Sequence, residues 1–397
     1  MSVPPRKQPP ARRRKSGRWP GFFLVILLVA AGLCWFEWHA QHSHLRKSSR
    51  HKKVETEAST VPAPGPVPNP GPEPIPVSLP ANPAPPLNQP PTQSATSGPG
   101  PIQSTPPPAT EFPRPVRDAL EIQIALARRV LSPGSIDGAA GHQTRAALAA
   151  FQRSQNLSDT GLLDTNTRAV LTLDSPISTT YTVTTNDLAE LQPLGKTWLE
   201  KSQQSALAFE TELELVGEKS HANPLLIKKL NPGVDWPNLV PGTVIQVPDV
   251  TYPEPADKAA FVVIHLADRY LEAFDLQTNL IAHFPCSIAA KVEKRPVGQL
   301  QVIVIAPHPN YTVNPELFPE STELQAIGHK LILPPGPNNP VGVAWIGLDR
   351  PGYGMHGTPV PEQVGRTESH GCFRLANWDA EYLLKLAWVG MPVFVEP

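Results

Sequence analysis

Along this chain the rhythm of apolar and polar positions changes repeatedly, and each change marks an expected element. From Trp19 to Phe36 the residues read WPGFFLVILLVAAGLCWF, without a charge until Glu37. Eighteen residues rising 1.5 Å each span about 27 Å as a helix, close to the roughly 30 Å hydrocarbon core of a bilayer. Trp19, Trp35 and Trp38 stand at the two ends, where amphipathic rings favour the interface. Residues 19–38 are therefore expected to be a retained membrane anchor. The competing cleaved signal peptide has a shorter apolar region, of about 7–15 residues. Residues 39–112 show no periodicity. Helical spacing begins with Val116, Leu120, Ile124, Ala127 and Leu131 and stops at Ser132-Pro133-Gly134. It returns at Ala147, Leu148 and Phe151, and again at Thr167, Val170 and Leu171 behind Asp164, a good N-cap. Residues 113–173 thus predict a small three-helix bundle. Residues 180–249 predict a small α+β segment, in which Asn223-Pro224 starts a helix, Asn231-Pro232-Gly233 ends it, and Pro241-Gly242 turns into a strand over 243–247.

Over residues 258–397 the rhythm becomes that of strands. Runs at 261–266, 270–274, 280–284 and 300–306 are short, β-rich and bounded by turn residues. Most of the remainder, including Leu333–Pro340, reads as loop. One late helix is expected, with Asn377 as N-cap and Ala380, Leu383, Leu384 and Ala387 on its face. The expected architecture is a mostly antiparallel or mixed sheet closed on itself, with that helix packed over it.

Composition sharpens this division. Proline numbers 51 of 397 residues, well above the usual share of roughly 5%. Nineteen of those prolines fall in residues 61–110, and no Lys or Arg occurs from Val54 to Pro113. Such a stretch cannot bury enough apolar surface to offset chain entropy, so 39–112 is expected to be a disordered Pro-rich linker. The seven basic side chains of residues 1–18, with no acid among them, mark a cytoplasmic tail by the positive-inside tendency. The whole chain balances 34 basic against 35 acidic residues, which excludes a general nucleic-acid binder. Its three cysteines, Cys34, Cys286 and Cys372, are too few for a disulfide framework and too scattered for a structural zinc site.

The candidate chemistry lies in one cluster, Gly352-Tyr353-Gly354-Met355-His356-Gly357 followed by Ser369-His370-Gly371-Cys372-Phe373-Arg374 and Asn377. A thiol with a pKa near 8.5 is only a few per cent thiolate at pH 7, so a neighbouring imidazole supplies the base it needs. Gly357 and Gly371 leave room for a close approach, and backbone N–H groups around Gly371 suit a developing oxyanion. Arg374 brings a planar fork for a carboxylate or for the loop itself. Three other readings stand beside this one. The cysteine is a buried hydrophobe, the histidines are structural, or His356, His370 and Cys372 bind zinc with no fourth ligand apparent. Cys286 reads as an ordinary strand residue.

Residues 258–397 closely resemble the L,D-transpeptidase catalytic domain of the YkuD type, on the spacing from His356 through fifteen residues to S-H-G-C-x-R-x-x-N and on the flanks LPPGPNNPVGVAWIGL and DAEYLLKLAWVGMPVFV. One departure is Arg295-Pro-Val-Gly298, where many relatives carry T-P-x-G. The segment SPGSIDGAAGHQTRAALAAFQRSQNL…TGLLDTNTRAVL resembles a peptidoglycan-binding helical repeat, and NPLLIKKLNPGVDWPNLVPGTVIQVP resembles the second half of a LysM module, its first half departing through a longer opening stretch.

The resemblance implies Cys372 as acylated nucleophile and His356 as proton acceptor and donor, with His370 and Gly371 shaping the nucleophile loop. It implies that the Gly357 carbonyl orients His356, and that Arg374, Tyr353, Ser369 and Asn377 line the substrate site. No cofactor and no metal are called for. The implied partners are peptidoglycan stem peptides and glycan, the membrane through the N-terminal helix, and a lipoprotein as one acceptor. The implied location is the bacterial inner membrane, single-pass, with the catalytic domain on the wall side. A cysteine peptidase of stem peptides and a non-catalytic wall-binding tether are the rival functions.

Overall fold

A computed structural model describes residues 111–367, 369 and 371–397. The basic tail, the 19–38 anchor, the linker before residue 111, and His370 lie outside the described residues. Among the described residues no helix is long and apolar enough to cross a membrane.

The first module is the expected bundle. Helices α1 (Ala119–Ala127), α2 (His142–Ser154) and α3 (Thr165–Val170) are closed by a two-residue antiparallel pair, β1 (Arg114–Pro115) on β2 (Thr172–Leu173). Asp118 caps α1 by accepting from Glu121 N at 2.9 Å, and Asp164 caps α3 by accepting from Thr167 N at 2.8 Å. The turn between α1 and α2 is held from inside. Buried Gln123 accepts from Gly138 N at 2.8 Å and donates to Asp137 Oδ1 at 2.9 Å. Gly138 sits at φ +76°, a conformation that a side chain would strain.

In the second segment β3 (Ser178–Thr182) pairs antiparallel with β4 (Val244–Pro248). Between them run α4 (Thr185–Ala189), α5 (Trp198–Gln203), α6 (Glu212–Lys219) and α7 (Pro224–Leu230). Asn223 caps α7 with Pro224 at its first turn, as the dipeptide suggested. The two modules share one apolar core, in which Ile124, Leu148 and Phe151 of the bundle join Val216, Ile227 and Ile245 of the segment.

The last domain is built on an eight-stranded mixed sheet, ordered β13-β12-β11-β8-β14-β5-β6-β7. Its strands are β5 (Phe261–His265), β6 (Tyr270–Phe274), β7 (Leu280–Pro285), β8 (Gly298–Pro307), β11 (Ala344–Leu348), β12 (Gly354–His356), β13 (Phe373–Arg374) and β14 (Pro392–Glu396). The pairs β12–β13 and β14–β5 are parallel and the remaining pairs antiparallel. Beyond β7 the chain swings to the opposite end of the sheet. Ser287 and Arg374 exchange two backbone hydrogen bonds of 2.9 and 3.0 Å, and Ser369 N donates to Ile288 O at 2.8 Å. This closes the sheet on itself, as expected, and draws the segment around Cys372 into the closure.

Helix α9 (Asn377–Leu386) buries Trp378, Ala380, Tyr382, Leu383 and Leu386 against a core that includes Val302, Ile346, Met355, Phe373 and Val393. Asn377 does not cap it. Ala376 occupies the cap position and Asn377 the first helical one, because the Asn377 side chain is committed to other backbone. A second helix, α8 (Thr322–Ile327), interrupts the region expected to be loop. It lies between β9 (Tyr311–Val313) and β10 (Leu331–Leu333), which pair antiparallel. Leu207 of the preceding segment completes the small core of this hairpin with Val313, Leu324, Leu331 and Leu333.

The bundle and the sheet are bonded together. His283 N on β7 donates to Val130 O at 3.0 Å and Ser132 N to His283 O at 2.8 Å. Arg153 on α2 pairs with Glu272 on β6, and Ser132 donates to Asp379 on α9 at 2.9 Å.

Candidate active site

Strand alternation places the two reactive side chains. Met355 and Phe373, partners in the parallel β12–β13 ladder, are 0% and 1% exposed and belong to the core. Their neighbours His356 and Arg374, also partners, therefore face the other way. Extending the alternation puts Cys372 on the face of His356 and opposite Gly354. On the adjacent strand Trp345 pairs with His356, and its ring stacks on the imidazole at 5.6 Å between centroids. Gly354 must lack a side chain, since a Cβ there would sit 2.7 Å from the Trp345 ring. Thiol, imidazole and guanidinium thus share one surface roofed by an indole.

The imidazole has a defined tautomer. His356 Nδ1 lies 2.6 Å from Gly357 O. A carbonyl only accepts, so Nδ1 carries the hydrogen and Nε2 presents its lone pair. The ring is 4% exposed. Burial pushes it down to about 4, against the pull of the Gly357 carbonyl and with help from Arg374. At neutral pH it is an uncharged base.

Burial also raises the Cys372 thiol, opposed by a Gly354 backbone hydrogen bond and by the charge of Arg374. Its Sγ donates to Gly352 O at 3.3 Å. With the thiol raised and the imidazole depressed, both groups are uncharged at neutral pH. Cys286 differs sharply. It is fully buried in the core and pushed up to about 12 by burial.

The loop carrying the thiol is held by Ser369, which is 4% exposed. Its hydroxyl donates to Cys372 O at 2.6 Å and accepts from Gly371 N at 3.2 Å. Both Ser369 and the Gly371 amide are thereby engaged inside the loop. Gly371 lies against the ring of Tyr353, whose hydroxyl donates to Lys294 O at 2.9 Å and whose face carries the Arg350 guanidinium at 4.6 Å. Tyr353 so ties the β11–β12 turn to the loop after β7. Asn377 is buried, its Oδ1 accepting from Val343 N at 3.3 Å and its Nδ2 donating to Pro337 O at 3.2 Å. Arg374 is half-buried and lines a recess of about 260 Å³ with Ser287, Thr358, Val360 and Gln363.

Three residues near the site carry no local sequence signal. Trp345 is recognisable only once Trp345-x-Gly347 is paired with Gly354-x-His356. Tyr311, from the β9–β10 hairpin, is raised chiefly by burial and then by the nearby Cys372. Glu218 of α6 lies near Asn377, and its carboxyl is pushed up to about 8 by burial.

Two parts of the chain match known families. Residues 259–395 match the model of the L,D-transpeptidase catalytic domain, and residues 117–171 match that of a peptidoglycan binding domain. The protein named L,D-transpeptidase YkuD of Bacillus licheniformis is 22% identical over 185 residues, covering 47% of this chain and 93% of that protein. The protein named L,D-transpeptidase YcfS of Escherichia coli is 28% identical over 193 residues, covering 46% of this chain and 57% of that protein. Among solved structures, an L,D-transpeptidase from Xylanimonas cellulosilytica is 16% identical, with a TM-score of 0.30, covering 73% of this chain and 100% of that chain.

Proposed function

Since the chain carries an L,D-transpeptidase catalytic domain at residues 259–395 behind a peptidoglycan binding domain at 117–171, we propose that Cys372 is its acylated nucleophile and His356 the base that frees it. The observation that carries this is the shared face of the β12–β13 ladder, with the Nε2 lone pair fixed by the bond from Nδ1 to Gly357 O at 2.6 Å.

The Cys372 sulfur attacks the carbonyl of the third residue of a donor stem tetrapeptide as His356 Nε2 takes its proton. The C–S bond forms and the C–N bond to the terminal D-Ala breaks, with the proton passing from His356 to the departing amine. A thioester remains. An amine of a second stem peptide then attacks, giving a 3→3 crosslink and returning the thiol. A lipoprotein lysine in place of that amine attaches a protein to the wall, and water gives L,D-carboxypeptidase action. Arg374, at the recess, suits the carboxylate of the donor. Ser369, Tyr353 and Asn377 hold the loops that shape the site, and His370 belongs with them by its place in the S-H-G-C run.

The remaining modules fit action at the wall. The bundle delivers the enzyme to peptidoglycan. The antiparallel β3–β4 pair with helices between supports the LysM-like reading of 180–249. Residues 19–38 anchor the chain in the inner membrane, with the Pro-rich linker spanning outward to the wall.

Incubating the protein with purified sacculi and identifying muropeptides by mass spectrometry tests this. The expected product is a 3→3 dimer, absent with Cys372→Ala, which also loses the carbapenem adduct on the intact protein. Released fragments without any crosslink would instead mark a peptidase, and an adduct persisting in Cys372→Ala would remove the nucleophile assignment.

A further inference from the structure

The stretch between α4 and α6 is longer than a simple turn requires, and it reaches out of its own module. Leu207, fully buried, pairs backbone to backbone with the loop before β11. Its N–H donates to Pro335 O at 2.9 Å, and its carbonyl accepts from Asn338 N at 3.0 Å. Asn338 Nδ2 adds bonds to Ala208 O at 2.8 Å and to Glu214 Oε1 at 2.6 Å. Contact is so close that a Cβ on Gly336, which sits at φ +145°, would overlap the Leu207 carbonyl.

From that clamp a continuous line of contacts leads to the imidazole. Pro337, between the clamped residues, accepts from Asn377 Nδ2 at 3.2 Å. Asn377 Oδ1 presses on Gly357, where a Cβ would overlap it, and on Gly342 in the same way. Gly357 N donates to Ala344 O at 3.2 Å, and Gly357 O receives His356 Nδ1. Leu207, Asn377 and Gly357 are buried, Pro335 through Asn338 are half-buried, and every link is made by a backbone group or a side-chain amide. The same Leu207 side chain also fills the core of the β9–β10 hairpin.

We propose that the segment 204–209, supplied by the module ahead of the catalytic domain, is a positioning element for His356, acting through Pro337, Asn377 and Gly357. This rests on the reading of His356 as the base. Orientation is where such an element tells: displacing a reacting group by about 1 Å costs on the order of a hundredfold in rate, and none of residues 204–209 lines the recess beside Arg374.

The full chain carrying Leu207→Ala is expected to lose roughly ten- to a hundredfold in kcat for acyl transfer with KM little changed. Leu207→Met should restore most of it. A spectroscopic signature accompanies this. The Nδ1–H proton resonance of His356, identified by its disappearance in His356→Ala, should shift or broaden in Leu207→Ala and return in Leu207→Met. Asn338→Ala, which leaves the apolar core intact, should give the same pattern more weakly, and it serves if Leu207→Ala does not fold. Wild-type kcat together with an unmoved resonance in a folded variant overturns the proposal. A wild-type protein that transfers no acyl group defeats the functional reading instead, and the resonance still reports the positioning.

Discussion

Cys372 directly precedes β13 and, continuing the register of the parallel β12–β13 ladder, stands opposite Gly354, whose backbone hydrogen-bonds the thiol. The absence of a Cβ serves the adjacent strand, where the Trp345 ring approaches to 2.7 Å and Ile346 O to 3.0 Å of the missing atom.

Gly354→Ala is therefore expected to push the indole off the imidazole. Overpacking of this kind costs about 1–3 kcal/mol, visible in denaturant unfolding. Acylation by a carbapenem should fall further than stability alone explains. A variant that acylates at the wild-type rate would show that the glycine is there for the turn only.

The neutral resting pair makes a distinct pH prediction. Below the raised pKa of Cys372 the thiolate fraction grows about tenfold per pH unit, so iodoacetamide alkylation at Cys372 should climb steadily from about pH 6 to 8. Cys286, pushed up to about 12, should stay unmodified until the protein unfolds. Peptide mapping separates the sites. A plateau in the Cys372 rate below pH 7 would reveal a thiolate–imidazolium pair instead.

At the junction of bundle and sheet, burial opposes the charge of Glu272, yet the His283 hydrogen bond at 3.1 Å, the His265 ring 3.6 Å away and the charge of Arg153 hold it well below the usual carboxylate range. Burial likewise depresses His283. Both folded pKa values lie below their unfolded ones, so both contributions are complete above the unfolded values and are lost as pH falls. Stability should decline below about pH 6.5 through His283, and more steeply below about 4.5 through Glu272. Removing one member of a buried pair costs about 3–5 kcal/mol, and Glu272→Gln should show a loss of that order at pH 7.

Asp379 acts in the opposite sense. Burial pushes it up to about 7, despite the hydroxyls of Ser132 and Tyr252 that donate to it. A raised carboxyl favours folding below its unfolded pKa and loses that contribution as pH rises through the folded one. Three pKa units set an upper bound of about 4 kcal/mol, reduced because Asp379 stands in the first turn of α9, where the helix dipole favours the anion. Asp379→Asn should accordingly unfold at a higher temperature than wild type at pH 8, the difference vanishing near pH 4. Equal differences at both pH values would locate the charge elsewhere.

Much of the site was legible in the sequence, for a local reason. Cys372 and His356 each sit in a short motif that is readable without context, whereas the strands beside them, β12 of three residues and β13 of two, are too short to show an alternation and were not among the runs the sequence predicts. The Gly357 carbonyl on His356 followed from family resemblance and is present as a 2.6 Å contact. Asn377 misled because a cap and a tertiary anchor use the same side-chain atoms, and only the folded chain shows that Pro337 and Val343 claim them. Helix α8 was hidden by its length of six residues, too short to display a period. Leu207, Glu218 and Tyr311 reach the site from far along the chain, and no spacing rule connects them to it.

The bonds from Val130 and Ser132 to His283 give the chain's modularity a physical limit. β7 is the last strand of the sheet, and the bundle supplies backbone partners to the side that would otherwise lie open. An exposed strand margin recruits other chains. Cutting the protein at the boundary where family similarity begins, near residue 259, strips that cover away. Ancestry and autonomy diverge here: what is inherited as a separate block is, in this molecule, sealed against self-association by its neighbour.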